Sequence, residues 1–221
     1  MDKQRAVLIL SGGMDSTTLL YDLVRQGYDV SAVTFDYSQR HKKEIGCARR
    51  TCEKLQVPHK IVDVSVLNDL APSCLTRETW EVPEGHYAED TMKQTVVPNR
   101  NMVFLSLAGA YAIGIGATHL FYAAHSGDHT IYPDCRPPFV SAMSTALHLC
   151  DWNDIVLHAP YLYMTKGDIV KLGLGLDVEY SDTWTCYKGD EISCGVCGSC
   201  TERLEAFREA GACDPLKYKT R

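Results

Sequence analysis

The chain has 221 residues and a formal net charge of −6, with 45% hydrophobic and 23% charged residues. This composition is typical of a globular protein and argues against a disordered or membrane-embedded chain. The acidic balance argues against nucleic acid as a partner, because tight binding to many phosphates needs a basic face. The longest apolar stretch, residues 105–117, is broken by glycines and is too short to cross a bilayer. Since no signal-peptide core follows the first residues, we expect a cytoplasmic protein.

Strands and helices alternate in the first part of the chain. An apolar run predicts a strand over 6–10, and helical periodicity follows over 16–26. Residues 30–35 predict a second strand, residues 40–55 a second helix and residues 59–64 a third strand. This order predicts a Rossmann-like α/β fold, with a mostly parallel sheet, helices on both faces and ligands at the carboxyl ends of the strands.

The second part of the chain begins with a long irregular segment, residues 71–98, which is typical of a lid. The remaining predicted elements are a helix over 101–115, a strand over 118–124, a helix over 138–150, a strand over 155–158 and a helix over 165–172 capped by Thr165. The sheet therefore has five strands. Polar residues 125–136 follow the fourth strand, so we expect them to form a second wall of the ligand site.

The connection after the first strand reads Ser11-Gly12-Gly13-Met14-Asp15-Ser16-Thr17. Adjacent glycines let the backbone approach an anion, and the first amides of the following helix point towards it. We expect Asp15 to hold loop amides or a Mg²⁺ ion between phosphate oxygens, because a carboxylate repels a bare phosphate. An ordinary strand–turn–helix connection is the alternative. The residue order at the start of an α/β pattern favours a pyrophosphate site.

Four of the ten cysteines fall within residues 186–200, at Cys186, Cys194, Cys197 and Cys200. Four thiolates are the ligands of a closed tetrahedral zinc site, which we expect to be structural because no ligand position stays open. An iron–sulfur cluster and four reduced cysteines without a metal are the alternatives. The cysteines divide the chain into an α/β domain over 1–180 and a small helical metal-binding region over 181–221, with a last helix over 201–210.

The glycine-containing loop resembles the pyrophosphate loop (PP-loop) of the ATP-pyrophosphatase superfamily, whose members cleave ATP between the α and β phosphates and thereby adenylate a substrate. Other motifs narrow the resemblance. They are Val33-Thr34-Phe35-Asp36-Tyr37-Ser38-Gln39-Arg40-His41, Leu75-Thr76-Arg77, Val97-Pro98-Asn99-Arg100-Asn101, Tyr132-Pro133-Asp134-Cys135-Arg136 and Thr185-Cys186-Tyr187 ahead of the other cysteines. In this order they are similar to the 7-cyano-7-deazaguanine synthase (preQ0 synthase) family of queuosine biosynthesis, over residues 6–209.

The resemblance implies an adenine-nucleotide α-hydrolase-like fold, a structural zinc ion, ATP with Mg²⁺ as co-substrate and a homodimer. The implied reaction converts 7-carboxy-7-deazaguanine and ammonia to the nitrile through an adenylated carboxylate and an adenylated amide. The implied ATP-binding residues are Leu10, Ser11, Gly12, Gly13, Met14, Asp15, Ser16, Thr17, Thr18, Leu19 and Leu20. The candidate catalytic residues are Asp15, Ser16, Arg77, Arg100, His125, Asp128, Asp134 and Arg136.

The candidate arginines suit a clamp on a carboxylate or on phosphates, and a histidine at position 41, 125 or 129 suits proton transfer. Solvated arginines and structural histidines are the alternatives. Residues 125–129 depart from the Cys-Glu-Thr-Asp type of other family members, so a different acceptor also stays open. Another PP-loop enzyme that modifies tRNA or a protein is therefore the second hypothesis, and a nucleotide-binding zinc protein without turnover is the third.

Overall fold

The computed structural model describes residues 3–220. Its centre is a five-stranded sheet in the order β3-β2-β1-β4-β5, with every neighbouring pair parallel. The strands are β1 (Arg5–Ile9), β2 (Asp29–Asp36), β3 (His59–Asp63), β4 (His119–Phe121) and β5 (Val156–His158). The α/β class and the parallel five-stranded sheet predicted from the sequence are confirmed.

Seven α-helices lie within the described residues, together with short 3₁₀ turns. They are α1 (Met14–Gln26), α2 (Lys43–Leu55), α3 (Val66–Leu70), α4 (Arg100–Gly114), α5 (Pro137–His148), α6 (Lys166–Gly175) and α7 (Gly198–Glu209). The Thr165 hydroxyl accepts a hydrogen bond from Asp168 N in a capping box, as predicted for the start of α6. Along the part of the chain that is described, no helix combines the length and the apolarity needed to cross a membrane.

Alternating strand residues build a core on each face of the sheet. Val7 of β1 packs in the core formed with α4 and α5, and its neighbour Leu8 packs in the core formed with α1, α2 and α6. Both side chains are fully buried. A sheet covered on both faces leaves only its edges and strand ends for ligands, so the carboxyl edge is where a site must form.

Some element bounds differ from those expected. Strand β4 ends at Phe121 rather than at residue 124, because its partner β5 is equally short and the backbone N–H of Tyr122 makes the last contact, to His158 O at 3.1 Å. The chain then leaves the sheet at its carboxyl edge. Helix α7 begins at Gly198, earlier than expected, because Cys197 is already its N-cap residue.

The long segment over 71–98 packs over the carboxyl edge and against the cysteine region. Glu84 forms a β-bridge with Cys197, and Gly85 N donates to Val196 O at 3.0 Å. Helix α7 in turn packs on α6, with Phe207 in a small core beside Met14 and Val170. The domain boundary near residue 180 stays a prediction.

Candidate active site

The loop between β1 and α1 is held tightly against α2. Gly12 has φ +87°, and a Cβ atom at this position would collide with the carbonyl oxygen of Glu44. The Gly12 carbonyl accepts a hydrogen bond from Trp184 N at 3.0 Å. Inside the loop, the Ser11 and Ser16 hydroxyls lie 3.0 Å apart. Only glycine satisfies both the backbone angle and the close approach, so the loop shape depends on Gly12.

A cavity of about 250 Å³ opens at this loop and extends along the carboxyl edge of the sheet. Six of the predicted ATP-binding residues line it, namely Leu10, Ser11, Gly13, Met14, Asp15 and Ser16. The other predicted residues, Gly12, Thr17, Thr18, Leu19 and Leu20, lie outside this lining. Leu19 and Leu20 lie in the core, and the Thr18 hydroxyl is paired with Tyr180 Oη at 2.8 Å.

Asp15 belongs to a largely buried charge cluster in the cavity wall. Its Oδ2 atom lies 3.4 Å from the ammonium of Lys166, which also contacts Glu202 Oε2 at 2.5 Å. Burial opposes the charge of Lys166, but the two carboxylates outweigh this effect and raise its pKa above the ordinary value. The lysine is therefore a permanent cation at the pyrophosphate loop.

His125 lies beside this cluster. Its Nδ1 atom accepts a hydrogen bond from Gly127 N at 3.1 Å, so the proton of the neutral ring is on Nε2. Nε2 faces Asp128 Oδ2 at 3.4 Å and Asp15 Oδ2 at 3.8 Å. The structure thus brings together three of the predicted catalytic residues in the cavity wall.

The charge cluster also contains carboxylate oxygens that could bind a divalent cation. Asp15 Oδ1 is buried and has no hydrogen-bond partner among residues 3–220. Carboxylate oxygens are the ligands that Mg²⁺ prefers, together with phosphate oxygens and water. Asp15 and Asp128 therefore fit the predicted Mg²⁺ chemistry.

A predominantly aromatic group of residues also lines the cavity. Arg100, at the start of α4, donates from Nη1 to Tyr37 Oη at 3.3 Å. Burial raises the pKa of Tyr37 to about 12, although the charge of Arg100 opposes the rise. Tyr132 and Tyr187 pair through their hydroxyls at 3.2 Å. Flat rings with hydroxyl groups and one half-buried guanidinium suit a planar, polar heterocycle.

Glu44 and His41 complete this wall. Burial lowers the pKa of His41 to about 3, and Arg100 adds to the effect, so the ring is neutral. Burial raises the pKa of Glu44 to about 7, against the hydrogen bond from Gln39 and the charge of Arg100. Glu44 Oε1 lies 3.5 Å from His41 Nε2.

Three predicted catalytic residues lie outside the cavity lining, as far as residues 3–220 define it. Arg77 donates to Asn68 O at 3.4 Å and lies 4.0 Å from Asp69. Arg136 donates to His129 O at 2.6 Å, and Asp134 accepts from Asn101 N at 3.2 Å. Arg136 and Asp134 thus brace the loop after β4 and the start of α4, and a catalytic role for any of the three stays a prediction.

The four predicted metal ligands, Cys186, Cys194, Cys197 and Cys200, come together as one buried cluster. Their sulfur atoms all lie within 4.8 Å of one another, and Cys194 Sγ and Cys200 Sγ are 3.9 Å apart. A tetrahedral zinc site with Zn–S bonds of about 2.3 Å needs sulfur separations of about 3.8 Å. Backbone amides of Cys194 and Cys197 point at sulfur atoms at 3.3 Å, as suits thiolate ligands. The cluster is thus a candidate metal site.

The metal cluster adjoins the cavity through α7. Cys200 lies in the first turn of this helix, next to Ser199 and close to Glu202, and both of these residues line the cavity. Sequence reasoning did not identify Lys166, Glu202 or Glu44 as site residues. A usable signal existed for Lys166, because it follows a helix cap at the carboxyl edge of the sheet.

The fold, the loop and the cavity define a PP-loop, adenine-nucleotide α-hydrolase-like protein. NMN synthetase from Francisella tularensis shares this fold with a TM-score of 0.53 at 15% identity, covering 94% of this chain and 77% of that one. A 4-thiouridine synthetase, solved with RNA and ATP, has a TM-score of 0.51 at 17% identity and covers 81% and 42% of the two chains.

The family model of queuosine biosynthesis protein QueC matches residues 5–211, and the chain belongs to that family. It is 77% identical over 215 residues to 7-cyano-7-deazaguanine synthase of Methanoregula boonei, covering 97% of this chain and 99% of that protein. It is 60% identical over 215 residues to the synthase of Caldicellulosiruptor saccharolyticus, covering 97% and 96%. The family predicted from the motifs is confirmed.

Proposed function

We propose that this chain is an ATP-dependent carbon–nitrogen ligase that converts 7-carboxy-7-deazaguanine and ammonia to 7-cyano-7-deazaguanine. Membership of the QueC family supports the substrate. The observation that carries the chemistry is the meeting of Asp15, Lys166 and His125 beside the loop hydroxyls in one cavity. A cation beside an anion-binding loop is what cleavage of ATP to pyrophosphate requires.

The first half of the reaction activates the carboxylate. A substrate carboxylate oxygen attacks the α-phosphorus of ATP, and pyrophosphate leaves towards Ser11, Ser16 and the first amides of α1. The Lys166 ammonium offsets the charge that develops on the leaving group. Ammonia then attacks the acyl carbon, AMP departs and a proton is released, which gives the amide.

The second half turns the amide into the nitrile with another ATP. The amide oxygen attacks the α-phosphorus and pyrophosphate leaves again. Loss of AMP and of the remaining nitrogen-bound protons forms the carbon–nitrogen triple bond. The Nε2–H group of His125 faces Asp15 and Asp128, so the ring positions these carboxylates, and Asp128 can accept a proton from the reacting nitrogen. Asp15 and Asp128 would hold the Mg²⁺ ion, which would neutralise charge at the phosphates.

For the metal cluster we propose a structural zinc ion. Cys186, Cys194, Cys197 and Cys200 would hold it, and all four are buried, which supports a closed site without an open position for water. Its role is to hold the start of α7 at the cavity. We further propose that the enzyme works in the cytoplasm on small molecules and forms a homodimer. Exposed Met102 and Leu107 on α4 support an interface there, and light scattering tests the dimer.

The test of the reaction incubates the protein with ATP, Mg²⁺, ammonium and 7-carboxy-7-deazaguanine, and follows AMP, pyrophosphate and the nitrile mass together. We expect two AMP and two pyrophosphate for each nitrile. Ser16→Ala should slow the reaction strongly, and Ser141→Ala on the exposed side of α5 is the matched control. AMP without nitrile would indicate another acceptor, and absence of both products would refute the proposed substrate.

A further inference from the structure

Glu44 lies in the cavity wall, and contacts within the described protein use only one of its two carboxylate oxygens. It lies in the first turn of α2, and 12% of its side chain is exposed. Its Oε1 atom accepts a hydrogen bond from Gln39 Nε2 at 2.9 Å. Within residues 3–220, no hydrogen bond or ion pair is formed by Oε2. Glu44 therefore has one oxygen without a protein partner in a side chain that lines the cavity.

The buried amide of Gln39 fixes this arrangement. Gln39 Oε1 accepts from Tyr37 N at 3.0 Å, and Nε2 lies 3.4 Å from Phe35 O. The amide group therefore has only one orientation that satisfies the backbone, and in that orientation it donates to Glu44. Above its pKa of about 7 the carboxyl group of Glu44 is ionised and offers only acceptors, so a ligand that meets it there must bring donors.

The surroundings of Glu44 suit a flat ring. Phe35 and Phe104 stack with ring centroids 4.4 Å apart, and Tyr37 lies 5.6 Å from Phe104. All three rings line the cavity. The neutral His41 ring carries a buried Nδ1 atom without a partner in the described chain. This wall offers apolar contact to the ring faces and a carboxylate to a ring edge.

The two heterocycles of the proposed reaction differ in what they offer such a carboxylate. A guanine-type edge has two adjacent donors, the N1–H and the 2-amino group, which match two carboxylate oxygens. The adenine edge has one donor, the 6-amino group, beside the N1 lone pair, which a carboxylate repels. A buried carboxylate therefore selects the guanine-type edge, because a mismatch leaves a polar group unpaired.

We propose that Glu44 is the specificity residue for the deazaguanine ring, with its carboxylate accepting hydrogen bonds from N1–H and the 2-amino group. This inference rests on the proposed function, since it assigns the orientation of the same substrate. It places the ring against the α2 side of the cavity. The 7-carboxyl group, at the other end of the ring system, then lies away from Glu44 in the same cavity, which Lys166 also lines.

The first test needs no variant. The kcat/KM of the wild-type enzyme is measured with 7-carboxy-7-deazaguanine and with the analogue that lacks the 2-amino group. Loss of one hydrogen bond to a charged acceptor is expected to lower kcat/KM by about 10- to 100-fold. Equal use of both substrates overturns the inference while nitrile formation still upholds the proposed function. Failure to turn over the parent substrate refutes the proposed function itself.

The second test uses Glu44→Gln, which keeps the side-chain shape and replaces one acceptor by a donor. With the parent substrate kcat/KM should fall by about 10- to 100-fold, and the preference over the analogue should nearly vanish. The KM for ATP should stay unchanged. Glu53→Gln, on the exposed side of the same helix, is the matched control and should behave as wild type.

The opposite pattern would assign Glu44 to the nucleotide. If Glu44→Gln keeps the full preference for the 2-amino group but raises the KM for ATP, the carboxylate binds the ribose hydroxyls and the inference is wrong. The preference for ATP over 2′-deoxy-ATP is therefore measured in the wild type and in Glu44→Gln. A loss of this preference in the variant would show that the carboxylate binds the ribose.

Discussion

Replacing Asp214 by asparagine should destabilise the protein strongly, because it breaks a fully buried ion pair. Arg203 on α7 and Asp214 in the C-terminal segment both have side chains that are 0% exposed. Their two hydrogen bonds measure 2.8 and 3.0 Å. The guanidinium also donates to Thr183 Oγ1 at 2.7 Å and to Tyr180 O at 3.0 Å, so it cannot turn to water.

The size of the effect follows from this geometry. Removal of one partner of a buried pair leaves an uncompensated charge and costs about 3–5 kcal/mol. For a chain of this length each kcal/mol lowers Tm by about 2–4 °C, so Asp214→Asn should melt about 6–20 °C below wild type.

Thermal unfolding followed by circular dichroism, with the metal content matched, measures this shift. The control is Asp190→Asn, which breaks the half-exposed pair with Lys219 at 2.7 Å. An exposed pair contributes about 0–1 kcal/mol, so the control should shift Tm by less than about 4 °C. Equal shifts in the two variants would refute the reasoning that burial, rather than the ion pair as such, sets the cost.

Three other predictions concern the site. Lys166→Met should slow carboxylate-dependent ATP–pyrophosphate exchange by about 100- to 1000-fold, whereas Lys171→Met, on an exposed part of α6, should not; equal rates would exclude a role for the lysine in activation. Cys197→Ser should lower the content of the proposed zinc ion, measured by native mass spectrometry, and Cys213→Ser, at an exposed cysteine, should leave it intact. Glu44 has a pKa of about 7 in the folded chain against an ordinary value of 4.5, so the folded state binds more protons between these values and stability falls as pH rises through this window. Urea titrations from pH 5 to 7 should show a shallower fall in the unfolding free energy of Glu44→Gln, by up to about 1.4 kcal/mol per pH unit, and parallel curves would contradict the assignment.

The fold could be predicted from the sequence because the features that indicate it are local. The turn at Gly27, the cap at Thr165 and the apolar strands each depend on neighbours along the chain. The length of β4 was overestimated, because residues 122–124 are as apolar as a strand yet line the cavity. These residues have the apolar pattern of a strand because they line the cavity, not because they pair in the sheet.

The site was only partly accessible. The loop and the cysteines come from contiguous motifs, whereas the contacts of Lys166 with Asp15 and Glu202 join residues far apart in the chain. A contact between distant residues leaves no periodic pattern in the sequence. A motif also does not reveal which contacts its residues make. Arg136, for example, belongs to one of the motifs, and its guanidinium donates to backbone carbonyl groups of the loop after β4.

The strand order has a consequence for how the protein is made. The first strand pairs with β2 within the first 33 residues, but its other edge pairs with β4, where Ala6 lies opposite His119. During synthesis the ribosome must therefore add most of the domain before the central strand is covered on both sides. An open apolar edge is a template for association between nascent chains, and slow parallel pairing prolongs its exposure. Expression yield should consequently depend on translation speed and chaperone supply more than the stability of the finished enzyme would suggest.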